Sequence, residues 1–215
     1  LNNNIISGQT ELASEPADTD EFLVSDAGTI KRIDYSLIKG GGAYTLLQST
    51  TASSASLVAF TSLITSAYRD YRIIVSQADG SEDADMNMQI SSDNGSSYIS
   101  SGNHRYKLHG NTNGGENTAG ANGHTAFNLI PATAEFSDSG QTVSFIIDIF
   151  NPLSTSHYFT WSITGHFTDP TSDRQGGFYG GGAYMDGAGD AYNALKIFPT
   201  SGTFSGEVSL YGRAV

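Results

Sequence analysis

No cysteine occurs among the 215 residues, which excludes disulfides, thiolate metal centres and cysteine nucleophiles and leaves packing to hold the fold. Positive charge is scarce: ten Lys and Arg stand against 22 Asp and Glu, for a formal net charge of −12. Phosphate backbones need a concentrated basic surface, so nucleic acid is not an expected partner. The same acidity favours solubility, and it opposes anionic membranes and glycans unless a divalent ion intervenes. No apolar run approaches bilayer length, and the first residues hold no basic stretch followed by an apolar signal core. A soluble protein without membrane insertion is therefore expected. The first residue is Leu1 rather than Met, as a processed chain, a trimmed chain or the ordered end of a longer polypeptide would show. Also missing are a Gly-x-Ser-x-Gly elbow and a Gly-x-x-x-x-Gly-Lys phosphate loop. No enzymatic activity is expected.

What is present is glycine, 25 residues of it, with abundant Ser, Thr and Asn and an apolar fraction of 38%. That composition suits many turns and short strands, an all-β fold. Period-two alternation recurs along the chain. Met86, Met88 and Ile90 alternate with polar residues, Val143, Phe145, Ile147 and Ile149 alternate with Ser144, Ile146 and Asp148, and later Phe159, Trp161 and Ile163 alternate with Thr160 and Ser162. Leu195 and Ile197 flank Lys196, and Phe204, Val208 and Leu210 flank Glu207 and Ser209. Tyr71 to Val75 is more continuously apolar, as a central strand would be, and His124 to Ile130 is a weaker strand. About eight to ten strands with one buried face predict a jelly-roll-like antiparallel β-sandwich. Helix is expected only in short turns, Leu57 to Ser66 and Tyr35 to Lys39.

The segment Pro16 to Ile38 stands apart. Glu21 to Ser25 and Thr29 to Asp34 read as strands joined by a three-residue connection, Asp26-Ala27-Gly28, in which Gly28 supplies a positive φ. A lone hairpin is marginal in water, so Phe22, Leu23, Val24, Ile30, Ile33 and Tyr35 are expected to pack on a partner surface. The triple glycine Gly40-Gly41-Gly42 reads as a joint. Two parts follow: residues 1–42, a hairpin arm for attachment or oligomerisation whose first four residues fray, and residues 43–215, the sandwich.

His104 and His109 are separated by an odd offset, as are His157 and His166, so neither pair shares a strand face, and all four read as surface or rim histidines in loops. The acidic run Asp79, Glu82, Asp83 and Asp85 could hold Ca²⁺ through hard oxygens, but it lacks EF-hand spacing, and a solvated acidic loop is the favoured reading. Gly176 to Tyr184 reads as a strand end and loop where backbones pass closely or subunits meet, or as an aromatic tip carrying Tyr179 and Tyr184. Tyr98 to Asn122 gathers Tyr98, His104, Tyr106, His109, Asn111 and Asn113 with many glycines. Aromatic faces stack on sugar rings and Asn and His edges bond hydroxyls, so such a loop could recognise a cell-surface glycan; Gly and Asn also make plain connections.

Three segments carry a family resemblance. PADTDEFLVSDAGTIKRI, starting at Pro16, resembles linker modules of tailed-bacteriophage structural proteins. Ser201 to Gly212, SGTFSGEVSLYG, is similar to the closing strand of β domains on phage fibres and capsid decorations, and Asp93 to Tyr98 resembles a turn of the same domains. The resemblance implies a virion structural protein, with a homotrimeric tail-fibre or receptor-binding subunit as the leading expectation. Its partners would be other virion proteins and a host glycan. A capsid decoration or head fibre is the alternative, and a polysaccharide depolymerase a more distant one.

Overall fold

A computed structural model describes residues 16–17, 19–38, 44–112, 115–131, 140–169, 174–186 and 189–214. The chain divides into two compact units, Leu1–Ala43 and Tyr44–Val215. The triple glycine, Leu1 to Asn4 and Lys39 lie outside the described residues.

In the first unit, β1 (Glu21–Asp26) pairs antiparallel with β2 (Thr29–Asp34), followed by a single helical turn, α1 (Tyr35–Ile38). Asp26 is itself laddered to Thr29, so the connection is two residues, Ala27-Gly28, not the three expected from sequence. Both have positive φ, 49° and 85°, the requirement of the tight hairpin turn that matches strand twist. Asp20 closes the open end: its carboxylate accepts the Ala17 amide at 2.9 Å and its carbonyl accepts the Tyr35 amide at 2.7 Å. Phe22 and Tyr35 rings meet at 6.0 Å. Leu23 and Ile30 remain 79% and 67% exposed within this unit.

The second unit is an all-β sandwich, and its strand order explains how it closes. Four strands, β3 (Tyr44–Ala55), β4 (Val58–Phe60), β5 (Tyr68–Gly80) and β6 (Met86–Ser91), pair in turn with β14 (Phe204–Ala214), β13 (Ala194–Pro199), β10 (Thr142–Phe150) and β9 (Phe127–Asn128). The two halves of the chain thus form one long antiparallel ribbon, and folding that ribbon over itself gives a jelly roll. Four more strands, β7 (His104–Thr112), β8 (Gly115–His124), β11 (Phe159–Asp169) and β12 (Arg174–Tyr184), widen one layer. The result is an eight-stranded sheet ordered β3-β14-β5-β10-β11-β12-β7-β8 against a four-stranded sheet ordered β4-β13-β6-β9. The twelve strands among the described residues of this unit exceed the eight to ten expected, because β7, β8 and β12 are rich in Gly, Asn and His and hide their strand character.

The core is the sum of the inward faces. Val143, Phe145, Ile147 and Ile149 of β10 are buried, as are Phe159, Trp161, Ile163 and Phe167 of β11. Opposite them lie Met86, Met88, Ile90, Leu195 and Ile197 of the smaller sheet. Tyr71, fully buried, keeps its hydroxyl satisfied by donating to the Thr65 carbonyl and accepting the Thr65 amide, both at 2.7 Å. The segment Leu57 to Ser66, expected to be a helical turn, instead contains β4, since Val58 and Phe60 are drawn into the core as alternating inward residues.

Asp93 to Tyr98 is a self-bonded turn. The Asp93 carboxylate accepts the Ser97 hydroxyl at 2.6 Å, the Ser97 amide at 2.9 Å and the Ser91 hydroxyl at 2.7 Å. These bonds, those from Ser97 foremost, hold its carboxyl down to about 2.

The glycine-dense stretch is a strand inside the sheet, not the loop or strand end expected. β12 runs between β11 and β7, pairing Gly182 with both Trp161 and Tyr106. A Cβ at Gly182 would sit 2.4 Å from the Arg105 carbonyl oxygen and 2.9 Å from Trp161 Nε1, and one at Gly180 would meet the Lys107 carbonyl oxygen at 2.2 Å. Glycine is what lets Trp161 and Leu108 lie across this strand. Replacing Gly182 with Val should therefore cost about 1–3 kcal/mol through overpacking, read as a lowered urea midpoint; an unchanged midpoint would contradict the account.

Candidate functional site

Outward alternation on the extended sheet sets side chains in rows that run across strands. In one row Thr164 of β11 pairs with Tyr179 of β12, which pairs with His109 of β7. In the next, His166 pairs with Gly177, Gly177 with Asn111, and Asn111 with Glu116 of β8. The first row is aromatic: Tyr179 and His109 stack nearly parallel, 5.4 Å apart at 17°, the close cross-strand pairing that direct opposition permits. The second row is polar, and Gly177 leaves a gap between His166 and Asn111.

That gap is a groove of about 380 Å³, bounded by His109, Asn111, Glu116, Thr164 and Tyr179 and floored by the backbone of Gly110, Gly165 and Gly177. Tyr179 is 61% exposed, so its ring is offered to solvent. Across Thr164 and Gly165 the groove continues into a depression of about 420 Å³ edged by Ser76, Ser144, Ile146 and His166. The arrangement supplies a flat aromatic platform beside amide, hydroxyl, imidazole and carboxylate edges. Such a surface can stack a ring face and bond the groups at its rim.

Gly177 differs from its neighbours in β12. A Cβ there would meet only the Gly165 carbonyl oxygen, at an ordinary 3.6 Å, whereas one at Gly176 would lie 1.9 Å from the Asn111 carbonyl oxygen. Packing demands glycine at 176, 180 and 182; at 177 no neighbour requires it, and the absent side chain leaves the groove open.

Three of the residues expected to bind, His109, Asn111 and Tyr179, are brought together here. Asn113 lies outside the described residues. The stretch Tyr98 to Asn122 is not one loop: from His104 onward it is largely the β7–β8 hairpin, whose inward face removes other candidates from the surface. His104 is buried, with its ring 4.6 Å from Phe127 and 4.9 Å from Tyr184, so it is neither a rim histidine nor a surface contact. Tyr184 is buried too, its hydroxyl 2.5 Å from Ser101 Oγ, and packs in the core instead of forming an exposed tip. Tyr106 is half-buried on the inward face against His124, 5.9 Å away. Tyr98 sits at the other sheet, its ring under the Lys196 ammonium at 4.5 Å. Glu116, Thr164 and His166 were not expected; the outward parity of Thr164 and His166 was visible in sequence, their proximity to His109 was not.

In the acidic loop Glu82, Asp83 and Asp85 are exposed, and no group of three or more carboxylates or imidazoles that could hold a metal ion occurs among the described residues. The loop is instead pinned through its backbone, where the Asp85 amide donates to Thr200 Oγ1 at 3.0 Å and the Ser81 amide to the Thr203 carbonyl at 2.9 Å.

Burial gives His104 a measurable signature. Nδ1 lies 3.1 Å from the Ser101 carbonyl oxygen and 3.0 Å from that of His124, so it carries the proton, and Nε2 is enclosed without a hydrogen-bond partner among the described residues. Desolvation holds the imidazole below its ordinary 6.5. Below that value the unfolded chain binds the extra proton more readily, so stability is full above pH 6.5 and falls as the pH drops. The melting temperature should decline from pH 6.5 toward 5 more steeply in the parent than in His104→Phe; parallel curves would refute the assignment.

No family model matches the chain, and no curated protein matches it.

Proposed function

We propose that this chain is a structural subunit of a tailed-phage virion that binds a host-surface glycan through the groove between His109 and His166. The observation that carries the reading is Gly177, a glycine the packing does not require, beside the exposed Tyr179–His109 stack. An aromatic platform bordered by polar edges fits the alternation of apolar faces and hydroxyls on a sugar ring. The phage assignment rests on the segments at Pro16, Asp93 and Ser201, and it sets the particle surface as the protein's location. Glu116 is the one carboxylate among the groove's described lining residues, whereas glycoside hydrolysis canonically takes two, which favours binding without cleavage.

The test uses two substitutions with opposite chemistry. Tyr179→Ala removes the platform and Gly177→Val fills the gap with a residue suited to strands. Each should reduce adsorption to host cells or glycan-array binding about tenfold, with the melting temperature unchanged or, for Gly177→Val, raised. Full binding in both variants would sink the reading.

The hairpin unit supports assembly. A two-stranded sheet with Leu23 and Ile30 exposed is marginal by itself and gains stability by covering them against other copies of the chain. The homotrimer comes from the resemblance to phage fibres. Light scattering should give a trimer for the full chain and a folded monomer for residues 44–215; a trimer from the shorter chain would remove this role from the hairpin.

A further inference from the structure

A second pocket lies at the end of the same outer face, where β5 begins and β10 ends. It encloses about 560 Å³ beside Phe150, Tyr158 and Arg69, with His157 and Ser154 on the loop that joins β10 to β11. Phe150 and Tyr158 are 46% and 41% exposed, an unusual allowance for two aromatic rings on one rim. On a chain with 22 acidic residues, none of the described lining residues is acidic. Arg69 is exposed and forms no ion pair among the described residues. The nearest carboxylate in sequence, Asp70, is buried and already engaged by Arg213 and by the Asn151 amide at 3.1 Å.

The pocket is preformed. Asn151 holds a positive φ of 43° at the exit of β10, and the Ser154 amide donates to its carbonyl at 3.0 Å. Ser154 Oγ accepts the Ser156 and His157 amides at 3.2 Å each and lies 3.1 Å from His157 Nδ1, which fixes the imidazole. The Tyr192 amide ties the loop to the body through the Pro152 carbonyl at 2.9 Å. Little ordering cost remains for a ligand to meet.

We infer that this pocket binds a saccharide unit bearing a carboxylate, with the sugar face against Phe150 and Tyr158 and the carboxylate on Arg69. Guanidinium and carboxylate match in a bidentate pair, and the neighbouring hydroxyls and imidazole bond ring substituents. A neutral sugar would leave Arg69 without a counter-charge, so selectivity follows the acid group. This pocket stands apart from the Tyr179 groove: Thr160, at the pocket, and Thr164, at the groove, are four residues apart on β11, roughly 13 Å at ~3.3 Å per residue.

Amide-resolved NMR titration of the full chain with methyl glucuronide and methyl glucoside, which differ in the carboxylate, tests it. The glucuronide should perturb Asn151 to Thr160 and bind more than about tenfold tighter than the glucoside. Arg69→Gln should abolish that preference, and Tyr158→Ala should weaken both ligands while the spectrum stays folded. Equal affinity for the two sugars, an Arg69→Gln variant that keeps the preference, perturbations confined to the Tyr179 groove, or no perturbation at millimolar ligand would each overturn the inference. Sodium acetate as a third titrant separates capture of a bare anion: acetate binding as tightly as the glucuronide would also overturn it.

Discussion

The pairing of the chain's two halves into one ribbon is the constraint on which everything else depends. β3 finds β14 across nearly the whole of this unit and β5 finds β10 with four strands between them, so the ribbon does not form until distant segments meet. Once they do, the period-two pattern leaves little freedom, because a slip of one residue would turn Val143, Phe145, Ile147 and Ile149 outward together. Non-local pairing of this kind slows folding, and the bulges in β14 help by pinning register. The ribbon also fixes the place of the added strands. β11 pairs on the free edge of β10, β12 on β11, β7 on β12 and β8 on β7, so the outer face of the extension is built from segments between residues 104 and 184.

The parts of this arrangement that sequence reveals are those where burial and alternation coincide. Trp161 and Ile163 flank Ser162 and announce an inward face; Tyr71 to Val75 announces a strand with neighbours on both edges, and β5 lies between β14 and β10. The hidden parts have weak propensity. β8, GENTAGANGH, contains no large apolar residue, and its strand form comes from pairing with β7 along its whole length. Its polar, glycine-rich edge in turn offers little to an incoming strand. Helical expectation failed at Val58 and Phe60 because three residues are too few for either period to declare itself.

The histidines show the same limit from another side. Parity alone puts His104 and His109 on opposite faces of β7, and it does not say which face is inside. That choice falls to the register with β12, which sets His104 against Tyr184 and His109 against Tyr179. One imidazole becomes a core residue with a suppressed charge and the other half of an exposed stack. Equally, a groove assembled from residues 109, 111, 116, 164 and 177 requires four strands in correct register, information that no local window of the sequence contains.

β12 carries both outcomes in one strand. Its inward glycines at 176, 180 and 182 admit Phe167, Leu108 and Trp161, and a side chain at any of them would strike a neighbour. Its outward Gly177 strikes nothing, so core packing cannot account for it. Glycine in a strand interior is otherwise unfavourable, by roughly 0.5–1 kcal/mol relative to Ala, because it loses more freedom on ordering. A residue that lowers stability without relieving a clash is best explained by the space it leaves, and here that space lies between His166 and Asn111, next to the one large aromatic side chain that the strand turns outward, Tyr179.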